Sequence, residues 1–381
     1  MEQTRAMFVK ECQEGMESIS ALCRKYEISR PTAYKWIARY EADGNMSDLS
    51  SAPRTHPMKT LPEIEDAILA LRREHPGTGA RKIQHILKRR GIDVPSVKTV
   101  NAILKRNGCI TLQASRAAQH YRRFEADHPN DIWQADFKGN FLMNDGERCY
   151  PLNIIDDHSR MCLCSAAQIN ERYEDTALNF TRTFREYGLP LALLCDNGNP
   201  WGTSQSTGFT RFEIWLMDLD ILPMHGRSLH PQTQGKQERF NGSLKREMLA
   251  FADIDDLACA QRILQEYRRF YNCERPHEAL DMRTPAEVYA PSPRAFPECI
   301  AEWEYTGCAS VVKVKSSGYL SFQGQGCFLS EAFANRDVAL IPSEDAADCL
   351  DILYRNFRIA RYDVRERCMI SKKTRRVKAK P

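Results

Sequence analysis

Three isolated carboxylates carry the chemistry this sequence allows. Asp136 sits in the strand-like segment WQADFK, Asp196 follows the apolar run in LLCDNG, and Glu238 lies early in the helix-like stretch HPQTQGKQERFNGSLKRE. They come from three different elements, 60 residues (196−136) and then 42 residues (238−196) apart. Phosphoryl transfer needs an activated attacking oxygen and a stabilised leaving oxygen, and two Mg²⁺ ions about 3.5–4 Å apart supply both. Mg²⁺ takes carboxylate oxygens, keeps several waters and binds substrate phosphates, so three converging acids suit metal-dependent phosphodiester chemistry. Without cations the like charges repel. Each acid alone also has a plain reading: Asp136 as a strand-face acid, Asp196 as a turn former before Asn-Gly, and Glu238 as a helix-start acid near the dipole.

The elements that must position these acids occupy the middle of the chain. DIWQADFKGNFLM, ERCYPLNIIDDHS and RMCLCSAAQ read as three strands of a meander. NERYEDTALNFTRTFREYG follows as an amphipathic helix stopped at Gly188, and LPLALLCDNG is a buried strand ending at Asp196. A Gly/Ser loop from Trp201 to Gly208, a helix through FEIWLMDLD, a short strand ILPMHG and a helix beginning near Gln234 complete the order. Strands followed by alternating helices and strands predict a mixed α/β sheet. Gln234, Glu238, Asn241 and Lys245 recur at helical spacing on one face, with Lys236 and Arg239 on neighbouring faces as phosphate candidates. Asp156 and Asp157 fit turn chemistry better than catalysis, and His230 fits a loop-shaping role. Ser-His-Asp hydrolysis is disfavoured because no GxSxG is present.

This order resembles the core of retroviral-type integrases and insertion-sequence transposases, the integrase-core family with an RNase H-like fold. WQADFK (133–138), IIDDHSR (154–160), CDNG (195–198), HPQTQGKQERFNGSLKRE (230–247) and NCERPHEALDMRTPAEVY (272–289) carry the resemblance, which covers most of 130–290. It implies that Asp136 bridges two Mg²⁺ ions (Mn²⁺ can substitute), that Asp196 binds one and that Glu238 binds the other. The 41 residues between the second acid and the Glu (238−196−1) exceed the commonest transposase spacing, so the loop around Trp201–Gly208 is expected to be longer.

Charge is distributed as a nucleic-acid enzyme would need. The net +4 divides into 22 Lys and Arg against 15 acids in residues 1–130, 17 against 24 in 131–290 and 15 against 11 in 291–381. Basic arms around an acidic middle suit a cation-binding core that meets DNA, although solvated helix faces would look the same. In SISALCRKYEISRPTAYKWIARY, two short helices flank the turn Glu27-Ile28-Ser29, resembling the helix-turn-helix of DNA-binding proteins. Ser29 would cap the second helix, leaving Arg30, Thr32, Tyr34 and Lys35 to face DNA. A plain helical hairpin is the alternative. A linker rich in Ser, Pro and Gly carries Arg54. LPEIEDAILALRREHP, GARKIQHILKRRG and VPSVKTVNAILKRNG form a second unit with Ile83, Ile86, Leu87, Val97, Val100 and Leu104 inward and Lys98, Lys105 and Arg106 outward.

Beyond the core, PSPRAFP reads as a linker, and SVVKVKSSGYLSFQGQGCFLS, DVALIP, CLDILY and FRIARYD as short strands. They resemble the small β-barrel that ends related transposases; the tail KKTRRVKAKP is expected to be disordered and to bind phosphates non-specifically. Fourteen cysteines show no zinc-ligand spacing and are expected to be reduced. No stretch reads as an export signal or a bilayer span, so the protein is expected to stay where it is made, and the resemblance implies a prokaryotic-type cytoplasmic, nucleoid-associated setting.

The expected architecture is therefore multidomain: a helix-turn-helix domain (1–45), a linker (46–61), a second helix-turn-helix domain (62–112), an α/β RNase H-like core (125–290), a small β-barrel (300–365) and a basic tail (366–381). The function expected by resemblance is transposition. The protein would bind element ends as double-stranded DNA, free a 3′-OH with metal-activated water and join that hydroxyl to target DNA, as two or more protomers on paired ends. The sequence does not say whether a helper ATPase takes part. A DNA-binding regulator or transposition inhibitor derived from such an enzyme, and an RNase H-like nuclease without strand transfer, stay open as alternatives.

Overall fold

The computed structural model describes residues 2–44, 60–110, 125–198, 200–202, 208–226, 235–305, 310–322, 324–371 and 374–377. The chain divides into two compact units, Met1–Thr60 and Leu61–Pro381.

In the first unit, α1 (Glu2–Glu14), α2 (Ile19–Lys25) and α3 (Arg30–Asp43) close over Phe8, Val9, Leu22, Cys23 and Ala33. Ser18 caps α2 and Ser29 caps α3, each hydroxyl accepting a backbone N–H at 3.3 Å. The turn between α2 and α3 is tight because Glu27 adopts φ 52 and Ile28 N–H returns to Cys23 O at 2.9 Å. The sequence pattern missed α1, whose buried pair Phe8–Val9 supplies the third wall of this core.

The second unit begins with α4 (Pro62–Glu74), α5 (Ala80–Arg89) and α6 (Val97–Arg106). Their inward stripe is the expected one, with Ile83, Ile86, Leu87, Val100 and Leu104 buried and Val97 half-buried. Ser96 caps α6 through the Thr99 N–H at 3.3 Å.

A five-stranded sheet follows, built from β1 (Ile132–Phe137), β4 (Leu152–Asp156), β5 (Cys162–Ala166), β6 (Ala192–Cys195) and β7 (Leu222–His225); β2 (Phe141–Leu142) and β3 (Arg148–Cys149) form a separate ribbon. The order is β5-β4-β1-β6-β7, antiparallel from β1 through β4 to β5 and parallel from β1 through β6 to β7. This is the expected mixed sheet. The helices α7 (Tyr173–Tyr187) and α8 (Arg211–Asp218) pack Phe180, Phe184, Phe212 and Leu216 against Trp133, Leu193 and Trp201. The helices α9 (Gly235–Leu244) and α10 (Leu257–Cys273), joined through a π-helical turn at Lys245–Leu249, pack with α4–α6. Phe240, Leu264, Tyr267 and Phe270 share one buried cluster with Ile68, Ile83 and Ile103, so the second helical unit is continuous with the core rather than tethered to it.

A sheet-rich region closes the chain. Its strands are β8 (Ser310–Lys313), β9 (Tyr319–Phe322), β10 (Gln325–Phe328), β11 (Asp337–Pro342), β12 (Cys349–Tyr354), β13 (Phe357–Asp363), β14 (Cys368–Ser371) and β15 (Arg375–Arg376). The order β14-β13-β12-β11-β8 leaves the outer strands unpaired with each other, and β9–β10 is a separate hairpin, so no closed barrel forms among the described residues. Part of the expected tail is ordered, because β14 and β15 both pair with β13. The region is docked on the core: Phe209, Ile214 and Met217 enter its apolar cluster, and buried Asp218 meets Arg336 at 2.9 Å and Arg355 at 3.0 Å. The expected linker PSPRAFP straps the core, with Arg294 donating to Asp220 O at 2.7 Å. No disulfide is present among the described residues. None of the described helices is long and apolar enough to cross a membrane.

Candidate active site and nucleic-acid interface

Asp136 and Asp196 are set level with each other by the sheet. The parallel register of β1 and β6 runs Ile132 to Ala192, Trp133 to Leu193 and Gln134 to Leu194, an offset of 60 residues. The same offset carried two residues further places Asp136 beside Asp196. Asp136 is half-buried, and burial followed by the Asp196 charge pushes its carboxyl up to about 7; the Phe137 backbone and Asn241 oppose that rise. Asp196 is exposed, and its Oδ1 accepts the Gly198 N–H at 3.0 Å. Glu171, which no sequence motif singled out, is itself raised by burial and then by the Asp196 charge, and its own charge pushes the Asp136 carboxyl further up.

A histidine fastens the Asp196 backbone. His225 Nδ1 meets Asp196 O at 2.8 Å and His225 Nε2 meets Glu213 Oε1 at 2.9 Å. Both partners only accept, so both ring nitrogens donate when both bonds hold, which requires the imidazolium. Burial works against that charge, but the Glu213 carboxylate and the Asp196 carbonyl outweigh it and raise the His225 pKa. Glu213 is buried and also completes the capping box of α8 with Thr210.

A polar seam fastens α9 over β1 and β4. Gln237 N–H donates to Gln134 Oε1 at 3.3 Å, and Gln237 Nε2 donates to Asn153 O at 3.0 Å. Asn153 Nδ2 donates to Asn241 Oδ1 at 2.9 Å, and Asn241 Nδ2 donates to Asp136 Oδ2 at 3.0 Å. Glu238 sits between these anchors in sequence but is exposed. Asp136 and Asp196 are thus brought together, and Glu238 lies on α9, the helix whose Asn241 donates to Asp136. Among the described residues, no group of three or more His, Cys, Asp and Glu is close enough to hold a metal ion. The Asp136–Asp196 pair still fits a hard cation, since both donors are carboxylate oxygens and their mutual repulsion is what a bound cation would relieve.

The expected DNA contacts divide by what they already touch. Tyr34 and Lys35 are exposed on α3, and Arg30 is exposed while bonding the Ser20 hydroxyl; Thr32 is half-buried and its Oγ1 lies 2.8 Å from the capping Ser29 Oγ. Lys98 and Lys105 are exposed on α6. Arg106 is exposed but pairs with Glu65, its Nε donating to Oε1 at 3.1 Å. Arg239 and Lys245 are exposed. Lys236 departs from the expectation: its ammonium turns inward, donates to Asp157 O at 3.0 Å and pairs with the buried Asp157 carboxylate, so it is unavailable to a phosphate. Asp156 has the turn role expected of it, accepting the Ser159 hydroxyl at 2.6 Å and the Asn130 N–H at 2.7 Å, whereas the Asp157 carboxylate ties distant segments together, accepting the Ala126 N–H at 2.7 Å and the Gln134 amide at 2.6 Å. Arg54, Gln234 and His230 lie outside the described residues.

Comparison with known proteins agrees with this architecture. Residues 126–231 and 219–285 match two models of the integrase core domain, residues 4–54 match a helix-turn-helix domain and residues 32–104 match a homeodomain-like domain. The chain is 29% identical over 180 residues to the 31.7 kDa protein of insertion element IS407 from Burkholderia multivorans, covering 45% of this chain and 62% of that protein. It is 25% identical over 232 residues to the transposase InsD of insertion element IS2 from Escherichia coli, covering 56% of this chain and 74% of that protein. The HTLV-2 integrase catalytic core, solved in complex with magnesium, aligns with TM-score 0.34 and 19% identity over 44% of this chain and 100% of that chain. The chain thus carries an integrase core domain match over residues 126–285 with helix-turn-helix and homeodomain-like matches ahead of it. More narrowly, it is similar to proteins of insertion elements, of which it spans 62% in the IS407 protein and 74% in InsD.

Proposed function

We propose that the protein is a DNA transposase that cuts the ends of its own element and joins them to target DNA. The observation that carries this reading is the Asp136–Asp196 pair, two level carboxylates on adjacent strands, one of them raised to about 7 by burial and by the other. Divalent cations, Mg²⁺ or Mn²⁺ and two per site, would activate the attacking oxygen and stabilise the leaving oxygen. Asp136 and Asp196 would hold them, with Glu238 joining when the site is loaded. Asn241 keeps the Asp136 carboxyl oriented, and His225 holds the backbone of Asp196. The same residues serve two successive displacements: water frees a 3′-OH at the element end, and that hydroxyl then displaces the 3′ oxygen at a target phosphodiester. No covalent enzyme intermediate is needed.

The helix-turn-helix units supply end recognition in this reading, with α3 and α6 presenting Lys35, Lys98 and Lys105 to DNA. Two units in tandem read a longer site than either alone. Two or more protomers assemble on paired ends in a cytoplasmic, nucleoid-associated complex.

Labelled element-end duplex and plasmid, incubated with the protein in Mg²⁺ or EDTA, test the proposal. A joined product that needs the metal and disappears in Asp196→Asn supports it. Binding without cleavage in Mg²⁺ would favour a DNA-binding regulator instead, and cleavage without joining would favour a nuclease.

A further inference from the structure

A cleft of about 350 Å³ opens beside Asp136, with Lys138, Asn140 and Phe141 on one wall and Lys245, Leu249 and Asp253 on the other. The two lysines reach it from the two elements that meet at Asp136. Lys138 lies two residues beyond Asp136, and its N–H continues the strand pairing to Pro151 O at 2.9 Å. Strand alternation therefore directs Lys138 to the same side as Asp136. Lys245 lies four residues beyond Asn241, the donor to Asp136, at the start of the π-helical turn.

The charges in the cleft are unbalanced. Lys138 is partly buried and feels Lys245 as a like charge and Asp136 as an opposite one. Among the described residues, neither lysine forms an ion pair with a carboxylate, whereas Lys25 and Lys236 both do. Asp253, the one acid on the cleft wall, already accepts the Asn144 amide at 2.7 Å. Two ammonium groups that converge with no carboxylate in direct contact among the described residues, one of them partly desolvated, form a site for an anion that arrives from outside.

The geometry points to Lys138, acting with Lys245, as the binding site for a backbone phosphate of the DNA strand that lies across Asp136. This rests on the transposase reading, since it is that substrate which brings a phosphate to the cleft. Lys138 fixes the strand's register against the acids and reads no base, so its contribution is electrostatic and independent of sequence.

The test is binding of a fluorescent duplex to the full chain between 50 and 200 mM salt, comparing wild type with Lys138→Gln, Lys138→Arg and Lys245→Gln. Each lost phosphate contact lowers the slope of log K against log salt by about 0.9 for a duplex, or about 0.7 for a single strand. The expected result is a slope reduced by about one contact in Lys138→Gln and in Lys245→Gln, a wild-type slope in Lys138→Arg, and an unchanged thermal midpoint in all. A wild-type slope in Lys138→Gln overturns the inference, as does a Lys138→Arg variant that folds but loses as much as Lys138→Gln. The transposase reading survives either outcome if Asp196→Asn still abolishes end cleavage by the same preparation. Wild-type protein without salt-dependent duplex binding would remove both.

Discussion

Asn241 Nδ2 donates to Asp136 Oδ2 at 3.0 Å, and this bond ties α9 to the strand that carries the first acid. It favours the ionised form of a carboxyl that burial and Asp196 otherwise push up to about 7. Asn241→Leu removes the donor, so the Asp136 pKa rises further. The acid limb of the pH–rate profile for end cleavage is expected to move to higher pH. A hydrogen bond to a charged group contributes about 1.5–3 kcal/mol, so cleavage near neutral pH should fall about ten-fold or more and recover partly at pH 9.

Asp136 also makes stability depend on pH. Its folded pKa of about 7 lies above the ordinary 3.8, so between those values the folded chain holds a proton that the unfolded chain has released. Stability therefore falls as pH rises through that window and stays lower above it. Asp136→Asn should be more stable than wild type at pH 8, by no more than about 4 kcal/mol, and show no gain at pH 4. Thermal unfolding at the two pH values measures the difference.

A buried ion pair ties the π-helical turn after α9 to the segment that follows α10. Arg275 donates to Glu247 at 2.7 and 2.8 Å, with the Tyr267 hydroxyl at 3.2 Å from the same carboxylate. Glu247→Ala leaves the buried guanidinium without its partner and should cost about 3–5 kcal/mol. Gly77 approaches the same place from the other side, since a Cβ there would lie 2.7 Å from the Glu247 Cα. Gly77→Ala is expected to cost about 1–3 kcal/mol by forcing the two segments apart. Urea unfolding of both variants checks these values.

The sheet was legible because its strands are short apolar runs broken by turn residues, and because acids stand out at the ends of such runs. Asp136 and Asp196 follow from that pattern, and their 60-residue separation turns out to be the strand register itself. The surroundings of Glu238 were not legible. Helical spacing groups Glu238, Asn241 and Lys245 on one face, but Gln237 and Asn241 are the residues that dock, and the π-helical turn at Lys245 breaks the regular spacing. Lys236 shows the same limit for charge: a lysine in a basic string reads as a phosphate contact until the buried Asp157 beside it is known. The merging of α4–α6 with the core depends on Tyr267 and Phe270, apolar positions that look the same whether they face a sheet or another helix. Glu171 had no signal, because its neighbours in space are distant in sequence.

The central claim is that Asp136, Asp196 and Glu238 together hold divalent cations, and calorimetric titration with Mn²⁺ at pH 8 tests it most directly. Wild-type protein is expected to take up about two ions per chain. Asp136→Asn and Asp196→Asn should each lose most of that uptake, and Glu238→Gln should lose one ion, with all variants keeping a cooperative thermal transition. Uptake equal to wild type in the two aspartate variants would contradict the account.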